Sequence, residues 1–168
     1  MNNCYVDTNI IIARYKPEDS LHKYSQKIFQ LSETNLYISP LTLLELHSVL
    51  SRVKNELIVP FVEEPLTETI IALIIKDCGL KVVSKSYTVR KSIYEYKFRA
   101  PIEYYLAMKF SDRLKRRTLD LLHLAYIWLL REEYNIGVFV TGDEEIIDEA
   151  EVINKVLKIK VLHPSQLQ

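Results

Sequence analysis

The first apolar run of the chain, Cys4-Tyr5-Val6-Asp7, is short and flanked by polar residues, which predicts a buried strand. Four more such runs follow: Leu36-Tyr37-Ile38-Ser39, Leu80 to Ser84 entered through Gly79, Val138 to Thr141 entered through Gly137, and the alternating Lys158 to Leu162. Between them the apolar residues recur at helical spacing. Pro17 to Glu33 carries Leu21, Tyr24, Ile28 and Phe29 on one face, and Pro40 to Lys54 carries Leu43, Leu46 and Leu50. Further helices are predicted over Pro65 to Cys78, Ile102 to Lys115, Leu119 to Asn135 and Asp143 to Lys155. The fifth of these six, from Leu119, is apolar on most sides and so should be packed on most sides. Strands that alternate with helices imply crossover connections. The expected fold class is therefore α/β, a single domain over residues 1–168 with a central, mostly parallel five-stranded sheet flanked by helices.

Composition narrows the class. With 48% hydrophobic and 26% charged residues in a chain of 168, an ordinary soluble globular domain is expected. No apolar run is long enough to span a membrane, and the first residues lack a basic, then apolar, leader pattern. Two cysteines, Cys4 and Cys78, form neither a disulfide framework nor a zinc site and read as buried thiols. The expected location is the reducing cytoplasm. Only three glycines occur. Gly79 and Gly137 stand before strands, as helix C-caps would, and no glycine-rich phosphate loop can be built.

A net charge of zero hides a block. Residues 81–117 hold eleven Lys/Arg against three Asp/Glu, while both flanks are acidic. Aromatic residues are interleaved in the block: Tyr87, Tyr94, Tyr96, Phe98, Tyr104 and Tyr105. Cations meet phosphates and aromatic faces can stack bases, so RNA is the expected partner. Arg113, Lys115, Arg116 and Arg117 are the expected RNA contacts, since they would lead phosphate towards an acidic site. Tyr94, Phe98 and Tyr105 are expected to pack in the core. Alternatively, the block could pair with the acidic flanks across a homodimer interface.

Open parallel sheets bind ligands beyond the carboxyl ends of their strands. Asp7 ends the first strand, Glu45 follows the second within two helical turns, and Asp143 follows the fourth. Asp120 begins the most apolar helix and joins them if that helix starts on the same side. Any one such acid can be a turn former, a helix cap or a solvated position. Together they repel one another unless a cation sits among them, and Mg²⁺ or Mn²⁺ prefers oxygen donors of this kind. His123, one turn after Asp120, is expected as a core or wall residue.

Four short motifs in order carry a resemblance. Tyr5-Val6-Asp7-Thr8-Asn9-Ile10-Ile11, Leu43-Leu44-Glu45-Leu46, Leu119-Asp120-Leu121-Leu122-His123-Leu124-Ala125 and Val140-Thr141-Gly142-Asp143 resemble those of the PIN-domain family. That family includes the toxin ribonucleases of VapBC-type toxin–antitoxin pairs. The resemblance implies a Mg²⁺- or Mn²⁺-dependent endoribonuclease in which Asp7, Glu45, Asp120 and Asp143 hold the metal. Thr8, Asn9 and Thr141 would support them. It also implies an antitoxin protein as a partner if the chain is a toxin. The segment between Glu45 and Asp120 is longer than in the compact toxin members. Two other readings are a PIN-like fold kept as a non-catalytic RNA-binding or protein-interaction module, and a haloacid-dehalogenase-like phosphatase. The latter needs a second acid two residues after the first, where this chain has Asn9.

Overall fold

The computed structural model describes residues 2–53, 57–58 and 66–167. Five strands, β1 (Asn2–Val6), β2 (Thr34–Ile38), β3 (Leu80–Val82), β6 (Val138–Val140) and β7 (Lys160–Leu162), form one sheet in the order β3-β2-β1-β6-β7. All four pairings are parallel. The strands expected from the sequence are these five, with ends shifted by one or two residues. A second sheet is the antiparallel pair β4 (Thr88–Ile93) and β5 (Tyr96–Pro101).

Helices cover both faces, because successive strand residues point to opposite sides. Tyr5, Tyr37 and Phe139 face a core built with α5 (Ile102–Leu114), α6 (Thr118–Tyr134), α7 (Glu144–Asp148) and α8 (Ala150–Leu157). Cys4, Val6, Ile38 and Val140 face the other core, with α1 (Thr8–Ala13), α2 (His22–Ile28), α3 (Pro40–Val53) and α4 (Thr67–Asp77). The most apolar helix, α6, buries nine side chains, as its composition requires. Both cysteines are free and buried. Among the described residues, no helix is long and apolar enough to cross a membrane.

Four expectations are corrected. The helix over Pro17–Glu33 shrinks to His22–Ile28, because Asp19 accepts a hydrogen bond from the Leu21 amide at 2.9 Å and holds the preceding residues in turns. The helix over Asp143–Lys155 is two, α7 and α8, divided at Glu149. Gly137 does not cap α6; Asn135 does, at φ 51°, whereas Gly79 has the positive φ (60°) after α4. Finally, Tyr94 is not in the core. It sits in the β4–β5 turn at φ 52° and is 97% exposed, while Phe98 and Tyr105 are half-buried. Lys54 and Pro65, at the ends of expected helices, lie outside the described residues.

Candidate active site

The chain leaves β1 towards β2 and β3 on one side, then returns through β6 to the other side of β1. Such a reversal opens a crevice at the carboxyl ends of the central strands. Here it is a cleft of about 600 Å³ lined by Asp7, Thr8, Asn9, Glu45, Asp120, His123 and Asp143, with Arg117 on its border. The four acids, spread over more than a hundred residues of sequence, thus line one cleft. Asp120 reaches it because α6 starts on that side, the point that the sequence pattern left open.

Asp7 is fixed on both oxygens. Its Oδ1 accepts from the Thr8 amide at 2.7 Å, and its Oδ2 accepts from Asn9 Nδ2 at 2.9 Å and Thr141 Oγ1 at 2.6 Å. Asp7 also caps α1, and Asp143 caps α7 by accepting from the Glu145 amide at 2.9 Å. Capping and site membership therefore coincide in these two residues. Thr141 Oγ1 in turn accepts from the Asp143 amide at 3.0 Å, and Asn9 Oδ1 from the Gly142 amide at 3.2 Å. Of the supporting residues of the resemblance, Asn9 and Thr141 tie the end of β1 to the β6–α7 junction, and Thr8 ties it to Glu45 on α3.

Glu45 accepts at Oε2 from Thr8 Oγ1 and is 2.8 Å from His123 Nε2. His123 is 3% exposed, stacks on Phe139, and has its Nδ1 3.1 Å from the Tyr5 hydroxyl. That hydroxyl contacts Ser39 Oγ and Thr42 Oγ1 as well. A chain of polar contacts thus runs from the core to the cleft. His123 is indeed a wall residue, yet with Asp7 and Glu45 it also forms the tightest ligand-like group, each offering an atom within 4.8 Å of the others. The expectation from the sequence is a core or wall histidine only. Its spacing of one turn from Asp120 was the available signal.

The electrostatics show an excess of negative charge. Burial pushes the Asp7 carboxyl above its ordinary range, and Glu45 adds to the rise against His123, Thr141 and Thr8. Burial, then the charges of Asp143 and Asp7, push Asp120 up. Burial opposes the His123 imidazolium, but Glu45 and Asp7 outweigh it and raise that group. Burial would also raise Glu45, but its bond to His123 holds it below the usual range. Carboxylates arranged in this way suit a hard cation, and the oxygen donors of the cleft fit Mg²⁺ or Mn²⁺.

The basic residues divide. Arg117 pairs with Glu145 at 2.7 Å, and Arg116 lies 3.5 Å from Glu149 and donates to the Glu145 carbonyl at 3.0 Å. Arg113 and Lys115 are exposed. Two of the four expected RNA contacts are thus engaged by the acidic flank within the same chain.

The PIN domain family model matches residues 4–152, so the chain belongs to the PIN-domain family. PIN domains are in general metal-dependent nucleases, which supports a nuclease here. The fold is also similar to a crystal structure of VapBC2 from Rickettsia felis bound to a DNA fragment from their promoter. The identity is 13%, the TM-score is 0.55, and the match covers 96% of this chain and 98% of that one. No curated protein matches the chain.

His123 offers a test of how the site is held. Replacing it by phenylalanine keeps the stack on Phe139 but removes the Nε2 contact that holds Glu45. Residues that orient ligands in this way are commonly worth 10- to 100-fold. Metal-dependent activity is expected to fall by roughly that factor, with His123→Gln, which keeps an N–H donor, recovering part of it. Equal losses in both variants, or unchanged metal affinity by calorimetry, would leave His123 a packing residue.

Proposed function

We propose that this chain is a Mg²⁺- or Mn²⁺-dependent endoribonuclease. The observation that carries the reading is the convergence of Asp7, Glu45, Asp120 and Asp143 on one cleft at the sheet's carboxyl edge, in a chain of the PIN family. These four side chains would hold the metal. Metal bound there lowers the pKa of a water and stabilises charge on the oxygens around phosphorus. Hydrolysis forms a bond from the water oxygen to phosphorus and breaks the bond to the departing sugar oxygen, which leaves with a proton. Thr8, Asn9 and Thr141 keep Asp7 in one orientation, and His123 with Thr8 keeps Glu45 in one. A ligand set fixed before substrate arrives does not have to reorganise during the reaction.

RNA fits as substrate because cations border the acidic cleft. Arg117 lines it, and Arg113, Lys115 and Arg116 precede it in the chain. For Arg117 to take up phosphate it must exchange its Glu145 partner, which an exposed ion pair does at little cost, whereas Arg116 is half-buried and held by Glu149 and the Glu145 carbonyl. The resemblance to the VapBC fold favours a toxin role, with an antitoxin protein as partner. The chain is read as one cytoplasmic nuclease domain.

The deciding experiment incubates purified protein with labelled single-stranded RNA and labelled DNA in Mg²⁺ and in Mn²⁺. Internal cleavage of RNA, with DNA left intact, is expected. Metal binding by calorimetry without cleavage of either polymer would instead favour a non-catalytic module.

A further inference from the structure

The β4–β5 hairpin carries a surface that the cleft does not use. The register sets Arg90 directly against Arg99, and Ser92 against Lys97. Opposed residues share a sheet face, so Arg90, Ser92, Lys97 and Arg99 all project from one side. All four are exposed. The opposite side carries Val89, Lys91, Ile93, Tyr96, Phe98 and Ala100 and meets α5, while Ile93 and Tyr96, nearest the turn, stay exposed. Val89 and Ala100 join the core there, and Lys91 Nζ lies 3.9 Å from the centre of the Tyr105 ring.

Like charges directly across a pair of strands destabilise it. No acid relieves this one: Glu95 is the single acid between Thr88 and Pro101, and among the described residues Arg90, Lys97 and Arg99 have no ion-pair partner. This sets them apart from Arg116 and Arg117. The turn repeats the pattern with an aromatic. Tyr94 takes a left-handed conformation that glycine or asparagine would accept more readily, yet its ring is 97% exposed and touches almost nothing. Neither the charges nor the ring serves the fold.

We propose that the outer face and tip of this hairpin bind a single-stranded RNA segment, with Arg90, Lys97 and Arg99 on its phosphates and Tyr94 at the tip against a base. Unpaired cations beside an exposed aromatic ring are what a single strand offers partners for. An acidic protein would use the charges but not the ring. The hairpin runs directly into α5, whose 13 residues span about 20 Å, and the chain beyond α5 reaches the cleft at Arg117. The hairpin would hold substrate at a distance from the cut. The idea extends the nuclease reading, and its test measures binding alone.

Anisotropy of a fluorescein-labelled oligouridylate is followed in EDTA over a salt series, so that no cleavage is needed. The variant with Arg90→Ala, Lys97→Ala and Arg99→Ala is expected to bind about tenfold more weakly near 0.1 M salt. Its log–log salt slope should be flatter by about 2, at ~0.7 per phosphate contact. Exchanging the arginines for lysine should keep most of the slope. Tyr94→Ala should lower affinity at least about fivefold and leave the slope alone. The melting temperature of the triple variant should hold or rise, as the Arg90–Arg99 repulsion is gone. Unchanged affinity and slope in the folded triple variant would overturn the proposal. So would tighter binding of polyglutamate than of oligouridylate with no effect of Tyr94→Ala, because the face would then be made for an acidic protein.

Discussion

Replacing Asp7 by asparagine is expected to lower RNA cleavage about a thousandfold while the fold survives. A metal ligand facing phosphorus contributes several kcal/mol to the transition state, and about 4 kcal/mol corresponds to that factor. Asparagine keeps the size of the side chain but loses the charge. Two effects on stability oppose one another. The Asp7 carboxyl is raised in the folded state, by burial first and by Glu45 next. A raised acid makes the metal-free fold lose stability as pH rises from the unfolded value, about 3.9, to the folded one; above that the ionised group stays a cost that asparagine removes. Against this, the asparagine Nδ2 would take the place of one carboxylate oxygen, and that oxygen now accepts from the Thr8 amide or from Asn9 and Thr141. The melting temperature should therefore move by only a few degrees in either direction. The assay is cleavage of end-labelled RNA beside a thermal melt. Full Mn²⁺-dependent activity in Asp7→Asn, with contaminating nuclease excluded, would sink the site.

Much of the frame was legible because the strands are apolar and the helices periodic. Val138 to Val140 can only be buried, and Asp143 must then lie at the edge where β6 ends. The position of Asp7 follows from β1 in the same way. Asp120 could not be placed so, because the direction of α6 relative to the cleft depends on packing between α5 and α6, which no local pattern encodes. The hairpin escaped for a related reason. Its turn, Tyr94-Glu95, has none of the Asn-Gly or Gly-rich chemistry that marks a two-residue loop. Only Tyr96 to Ala100 alternates; in Thr88 to Ile93 the polar run Arg90-Lys91-Ser92 breaks the period, so the stretch reads as charge and not as strand. The aromatics in that stretch misled in turn. A tyrosine counts as apolar in any pattern, and only the register shows that Tyr94 stands at a turn with no neighbour to pack against. His123 shows the opposite limit: a histidine on the wall and a histidine that orients Glu45 have the same sequence, and its buried contacts with Tyr5 and Glu45 separate the two.

Removing divalent metal with EDTA is expected to take cleavage to background, with Mg²⁺ or Mn²⁺ restoring it. The same treatment should expose a pH dependence that resides in His123. Burial disfavours its charged form, but Glu45 and Asp7 prevail and raise it above the ordinary value of about 6.5. A raised base stabilises the fold fully below its unfolded value and loses that contribution as pH rises through the folded one. The melting temperature of the EDTA-treated protein should therefore fall as pH climbs from about 6.5, and His123→Phe should flatten that fall. When protonated, the imidazolium sets a positive charge against Glu45 and Asp7. A divalent cation competes with it for the same negative field, so metal affinity measured by calorimetry should weaken as pH drops through the His123 value. Cleavage that continues unchanged in EDTA would remove the metal from the mechanism. In that case His123, with Glu45 at 2.8 Å and Asp7 at 3.8 Å from its Nε2, would have to be reconsidered with them as an acid–base group acting on its own.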